Sequence, residues 1–203
     1  MLSREQGDAM ELRHKAIRAE KLGNPLAEAV IQRDRNVVDL VEQSIAQDHV
    51  LLAFQPIVHD GDLSSVVFHE SLLRVLDQTG RVIPARDFLP SISSTDLARR
   101  LDCIALSLCL SELRKHPNLR LSVNTSARSL GYRKWTDTLE LGIEQTPHVA
   151  NRLIIEISEP SVMQLPELVS DFMYDWQPKG VAFALDDYGA GPTSFMFFKD
   201  FFF

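Results

Sequence analysis

Glu70, Asn124, Glu156 and the adjacent pair Asp186 and Asp187 all offer oxygen to a hard cation, and each closes a short apolar run. The runs are Val66-Val67-Phe68-His69, Leu121-Ser122-Val123, Leu153-Ile154-Ile155 and Val181-Ala182-Phe183-Ala184-Leu185. Carboxylate and amide oxygens without cysteine or an obligatory histidine suit Mg²⁺ or Mn²⁺ rather than zinc. Two such ions bridged by carboxylates could clamp a phosphodiester for in-line attack. Gly189 and Gly191, just after the aspartates, allow a tight turn and close approach of backbone to a phosphate. Each donor also has a plainer reading. A lone acid at a strand end is usually a solvated charge or a helix cap, Asn124 before Thr125 and Ser126 could simply cap a helix, Arg74 could be a surface charge, and Gln55 could satisfy neighbouring backbone.

The elements that would have to position these donors follow from the pattern. Short β-branched and aromatic runs read as buried parallel strands, and in barrels of alternating strands and helices the reactive groups stand at C-terminal strand ends. From Asn124 to Glu156 is 32 residues and from Glu156 to Asp186 is 30, the length of one strand–helix unit. Helices are predicted from a Thr95 cap to Lys115, around Trp135, Leu139 and Ile143, and from Pro166 to Trp176. Val50 to Val58 reads as the first strand, with Pro56 favouring a sheet edge, and Asp60-Gly61 predicts an antiparallel hairpin into a strand from Ser65. Residues Gln78 to Arg86 read as a polar loop. Before these, residues 1–22 read as a polar helix stopped at Gly23-Asn24-Pro25, Pro25 opens a short helix to Arg33, and Val37, Val41 and Ile45 mark another ending near Asp48. The division expected is therefore a helical extension over 1–34 and a main domain over 35–203.

Composition sets the outer limits. A chain of 203 residues, 45% hydrophobic and 24% charged, is an ordinary globular chain with one sizeable core. The net charge of −7 carries no basic footprint for a nucleic-acid polymer, and no apolar run reaches membrane-spanning length. Met1 to Lys15 lacks the apolar core of a secretory signal, so a cytoplasmic location is the default expectation. Cys103 and Cys109 read as buried reduced thiols rather than a disulfide or a zinc site.

Six motifs then stand in register with one family. Gln55-Pro56-Ile57, Glu70-Ser71-Leu72-Leu73-Arg74, Phe88-Leu89-Pro90, Ser122-Val123-Asn124-Thr125-Ser126, Glu156-Ile157-Ser158-Glu159 and Asp186-Asp187-Tyr188-Gly189-Ala190-Gly191 follow in order. In these the chain resembles the EAL-domain family of bacterial cyclic di-GMP phosphodiesterases over roughly 35–203. The resemblance implies a TIM-like (β/α) barrel with an antiparallel first strand. It implies that Glu70, Asn124, Glu156 and Asp186 hold a first Mg²⁺ or Mn²⁺ ion and that Asp187, with Asp186, reaches a second. Gln55 and Arg74 would contact the phosphates and nucleotide of cyclic di-GMP, with Leu72 and Pro90 lining the pocket, and a homodimer is a possible assembly.

The implied reaction is hydrolysis of one phosphodiester bond, opening the ring to linear pGpG. Alternatives are a non-catalytic module that binds cyclic di-GMP or a protein partner, and a barrel acting on another phosphoester. Ser71 for the family's alanine is expected to be silent; Ser158 for threonine and Tyr188 for phenylalanine keep the local chemistry, while Pro160, Pro192 and Ile92-Ser93 depart from the pattern without touching a ligand. The lysine that helps activate water in the family lies beyond Phe203, so no catalytic residue is assigned here and this chain by itself is expected to be inactive. On the same reading Phe195, Phe197, Phe198, Phe201, Phe202 and Phe203 are core residues parted from their neighbours.

Overall fold

The computed structural model describes residues 25–189 together with 201 and 203. The expected helix over 1–22, the cap Asn24, Gly191, Pro192 and the phenylalanines at 195, 197, 198 and 202 lie outside the described residues. In chain order the elements are α1 (Pro25–Ala46), β1 (Val50–His59), β2 (Asp62–Leu76), β3 (Val82–Pro84), α2 (Leu89–Ile92), α3 (Asp96–Lys115), β4 (Leu121–Asn124) and α4 (Ala127–Leu130). They continue with α5 (Arg133–Gln145), β5 (Leu153–Ser158), α6 (Glu159–Gln164), α7 (Pro166–Trp176) and β6 (Ala182–Asp186). The described residues fall into two compact units, one formed by the chain up to Val50 with Arg74–Arg100, the other by Leu51–Leu73 with the residues from Leu101 onward.

In the first unit, α1 is one helix of 22 residues, where the spacing predicts a break after Arg33. The segment Arg33-Asp34-Arg35-Asn36 contains neither proline nor glycine, so nothing removes a backbone hydrogen bond there. Helix α1 ends in a left-handed turn, with Asp48 at φ 55° and His49 N–H donating to Ser44 O at 2.8 Å. Ser44 Oγ donates to Leu76 O, also at 2.8 Å, and Ser91 Oγ on α2 donates to Asp34. The segment expected to be a plain loop holds β3, which pairs antiparallel with Arg74–Leu76.

The second unit carries the strands of interest, in the order β1-β2-β4-β5-β6. The β1–β2 hairpin turns through Asp60-Gly61, where Gly61 takes φ 87°, a value open to glycine and strained for most side chains. Among the described residues strand β1 stands at the end of the order, the place that Pro56 with its missing N–H favours. Strands β2, β4, β5 and β6 run parallel. One set of side chains from β4, β5 and β6, including Leu121, Val123, Leu153, Ile155, Ile157 and Phe183, packs with the helices into a single core. Phe172 of α7 is its hub, 5.7 Å from Trp135, 5.9 Å from Trp176 and 6.0 Å from Phe183 between ring centroids. Fully burying side chains of this size contributes roughly 1.5–3 kcal/mol each. Cys103 and Cys109 are buried and in no disulfide.

Candidate functional site

In a parallel sheet, partnered residues show their side chains to the same face, and so do residues two apart on one strand. The register puts Glu70 opposite Ser122, Asn124 opposite Glu156, and Glu156 opposite Ala184. Asn124 is two residues beyond Ser122, and Asp186 is two beyond Ala184. Glu70, Asn124, Glu156 and Asp186 therefore share one face, on four successive strands, stepping up by about 7 Å on passing from β2 to β4 and again from β5 to β6. The long side chain of Glu70 closes the first step: Asn124 Nδ2 donates to Glu70 Oε1 at 2.9 Å. Asn124 is thus not the helix cap that its sequence neighbours allow. That task falls to Ser126, whose Oγ accepts from Arg128 N–H at 3.2 Å.

Glu156 occupies the middle of the array and is 9% exposed. Its carboxyl is raised to about 7, first by burial, then by the charge of Glu70 on one side and Asp186 on the other. The Ser122 hydroxyl opposes the shift, without meeting the geometry of a full hydrogen bond. A buried glutamate between two acidic side chains marks a donor set short of positive charge. A hard divalent cation supplies that charge, and carboxylate and amide oxygens are the ligands such a cation takes. The residues therefore fit Mg²⁺ or Mn²⁺. Among the described residues no three His, Cys, Asp or Glu side chains stand close enough to form a ready cluster, and here one donor is an amide while the carboxylates repel one another.

The β6 end is built differently. Asp186 and Asp187 are exposed, and Asp187 sits at φ 56° with its N–H donating to Asp186 Oδ1 at 2.8 Å. The left-handed conformation is uncommon for a residue with a Cβ, though aspartate tolerates it better than most. Two residues on, Gly189 at φ 82° donates its N–H to Glu159 Oε2 at 2.6 Å. Glu159, first residue of α6, is 1% exposed, and its Oε1 has no hydrogen-bond partner. The sequence shows Glu159 only as the last residue of a motif; its tie to Gly189 appears once β5 and β6 are placed side by side.

The polar tethers behind Asn124 are a second feature missed in the sequence. Asp102 of α3 accepts from Ser126 N–H at 3.2 Å and from Ser129 Oγ at 2.7 Å, and burial raises its carboxyl to about 6 against the pull of those two donors. The available signal was a lone acid inside the apolar run Leu101 to Leu110. Of the expected nucleotide contacts, Gln55 is exposed on β1, and Leu72 is half-buried on β2, on the same face as Glu70. Arg74, paired with Pro84, and the exposed Pro90 of α2 belong to the first unit. Ser71 points to the opposite face from Glu70, 3% exposed, with its Oγ 4.0 Å from Cys109 Sγ. Burial pushes that thiol up to about 12, far from a reactive thiolate at neutral pH.

The EAL domain family model matches residues 39–203. Cyclic di-GMP phosphodiesterase PdeA of Borreliella burgdorferi is 24% identical over 180 residues, which cover 86% of this chain and 27% of that protein. Cyclic di-GMP phosphodiesterase NbdA of Pseudomonas aeruginosa is 25% identical over 166 residues, covering 78% of this chain and 21% of that one. The chain thus spans roughly a quarter of the length of these curated relatives. Among solved structures, the FimX EAL domain from Pseudomonas aeruginosa bound to c-di-GMP aligns with a TM-score of 0.71 at 21% identity, covering 81% of this chain and 67% of that one. That likeness establishes the fold as TIM-barrel-like, with an antiparallel first strand pair and parallel strands after it. No described helix is long and apolar enough to cross a membrane.

Proposed function

The chain belongs to the EAL domain family, and from that premise we infer that it forms the metal-holding and nucleotide-facing part of a cyclic di-GMP phosphodiesterase. The observation that carries this reading is the single face shared by Glu70, Asn124, Glu156 and Asp186, with Glu156 pushed up by burial and by its two acidic neighbours. Glu70, Asn124, Glu156 and Asp186 would hold one Mg²⁺ or Mn²⁺ ion, and Asp187 with Asp186 a second. When bound, the ions supply positive charge at the phosphodiester. Asn124 keeps Glu70 in place by donating to it, Glu156 would bind the cation as a carboxylate, and Glu159 holds the turn that carries Asp187. Gln55 and Leu72 would contact the nucleotide. The net change is one phosphodiester P–O bond exchanged for a P–O bond to the oxygen of water, with the proton passing to the departing ribose oxygen and the ring opening to pGpG.

The test is cyclic di-GMP binding by calorimetry with Mn²⁺, alongside chromatographic detection of pGpG, for the wild type and Glu70→Ala. Ion-dependent uptake of the nucleotide that is lost in Glu70→Ala supports the site. Turnover of bound nucleotide supports the phosphodiesterase, whereas tight binding without pGpG from the full-length protein moves the reading to a cyclic di-GMP receptor. Binding of equal strength in excess chelator refutes the metal site.

A further inference from the structure

Asn124 is the last residue of β4, and the chain leaves it through a turn in which four successive amides find acceptors on four different segments. Thr125 N–H donates to Glu156 O on β5 at 2.9 Å. Ser126 N–H donates to Asp102 Oδ2 on α3 at 3.2 Å, and Ala127 N–H donates to Ser161 Oγ on α6 at 2.8 Å. Arg128 N–H donates to Ser126 Oγ at 3.2 Å within the turn itself. Asp102 Oδ2 takes a further bond from Ser129 Oγ at 2.7 Å, so one carboxylate oxygen grips the turn at both ends. Asp102 is the charged member of this set, and hydrogen bonds to a charged acceptor are the stronger kind. Ser129 is fully buried, which leaves its hydroxyl no water to turn to if Asp102 is removed.

We propose that Asp102 is a positioning residue for Asn124, fixing through Ser126 and Ser129 the turn that aims the Asn124 amide at the shared face. The inference rests on the reading of Asn124 as a metal ligand. It extends that reading to a residue on a different helix, which touches neither the ion nor the nucleotide. Groups behind a metal ligand alter affinity because they decide where the ligand atom sits, and losing one typically costs about 10–100-fold in metal binding.

The experiment is a Mn²⁺ titration of the 203-residue chain by electron paramagnetic resonance, at a pH well above 6 and a temperature well below each variant's melting point. Glu156→Gln serves as the control for the site. Asp102→Ala should weaken Mn²⁺ binding by about tenfold. Asp102→Asn should stay close to wild type, because its amide oxygen can accept both bonds in the place of Oδ2. Ser129→Ala, which removes one of the two bonds without emptying the Asp102 position, should fall between them, and it decides the matter if Asp102→Ala does not fold. A lowered melting temperature with unchanged Mn²⁺ affinity in Asp102→Ala, or in Ser129→Ala where the former is unfolded, would show a purely structural role and overturn the proposal. That result, together with loss of binding in Glu156→Gln, leaves the metal site standing. Wild-type binding that survives Glu156→Gln removes the metal site, and the proposal with it.

Discussion

The C-terminal ends of β4 and β5 and the end of β6 present oxygen donors to the same face by opposite means. At β4 and β5 the backbone is tied to several elements and the donor at the centre, Glu156, is 9% exposed. At β6 both aspartates are exposed, and the chain turns through two left-handed residues, Asp187 and Gly189, anchored by the Glu159 bond to Gly189. A buried carboxylate without a cation is costly, and it persists only where rigid surroundings over-determine it. An exposed pair costs little in water and gains its partner when the ion arrives. The difference assigns two tasks: β4 and β5 set the position of the site, and β6 completes it.

The sharpest way to break that comparison is Glu156→Gln. It should lower Mn²⁺ affinity by on the order of 100-fold or more, at least as much as losing an outer-shell partner. The same substitution tests the charge argument without metal. The carboxyl titrates near its ordinary 4.5 in the unfolded chain and at about 7 in the fold. Between those values the folded state binds more protons, so the metal-free wild type should lose stability as pH rises from about 4.5 to 7 and level off above it. Glu156→Gln should remove the part of that slope above about pH 6 and leave below it the part that Asp102, raised to about 6 by burial, contributes, as measured by urea midpoints across the pH range. A wild-type midpoint rising over this interval would contradict the picture of a frustrated carboxylate. Metal affinity should run the other way, weakening as pH falls below about 7, because the ion must displace the proton.

Glu159→Ala probes the β6 side, with the next largest effect. It removes the side-chain acceptor of a half-buried N–H and should cost about 1–2 kcal/mol of stability. On the division of tasks drawn above, the Asn124–Glu70 contact should survive. The Asn124 side-chain amide signals in a nitrogen-15 NMR spectrum should therefore hold their wild-type positions. Large shifts at Asn124 would mean that the two ends are one mechanical unit.

Much of this division was legible in the sequence, for physical reasons that differ by element. Asn124 and Asp186 close their strands, as the apolar runs predict; β5 runs two residues past Glu156 to Ser158, and β2 continues from Glu70 to Leu76 because Arg74–Leu76 pair with β3. Helix α7 begins at Pro166, as expected, because proline pre-sets the first helical dihedral. The continuity of α1 was hidden because charged residues inside a helix look like a boundary when only apolar spacing is counted. Strand β3 was hidden because three residues adopt strand geometry only through pairing with Arg74–Leu76. Asp102 and Glu159 were missed in the same way: a buried acid is defined by the partner that meets it, and Ser129 and Gly189 lie 27 and 30 residues away. Donors beside apolar runs are local facts; the groups that hold them are tertiary ones.

The smallest effect, and the most discriminating for the backbone, belongs to Asp187. At φ 56° an ordinary L-residue carries a left-handed penalty of roughly 1–2 kcal/mol, reduced for aspartate, whereas glycine escapes it and loses roughly 0.5–1 kcal/mol in chain entropy instead. These terms nearly cancel, so Asp187→Gly in the metal-free protein should leave the melting temperature unchanged or slightly raised. Asp187→Val, with a branched Cβ and no side-chain oxygen, should be less stable than Asp187→Gly by up to about 1.5 kcal/mol, the left-handed penalty less the chain entropy that glycine loses. The ordering matters more than either value. If glycine proved the less stable of the two, the left-handed turn would not be what the β6 end requires, and the contrast with the tethered turn behind Asn124 would lose its backbone argument.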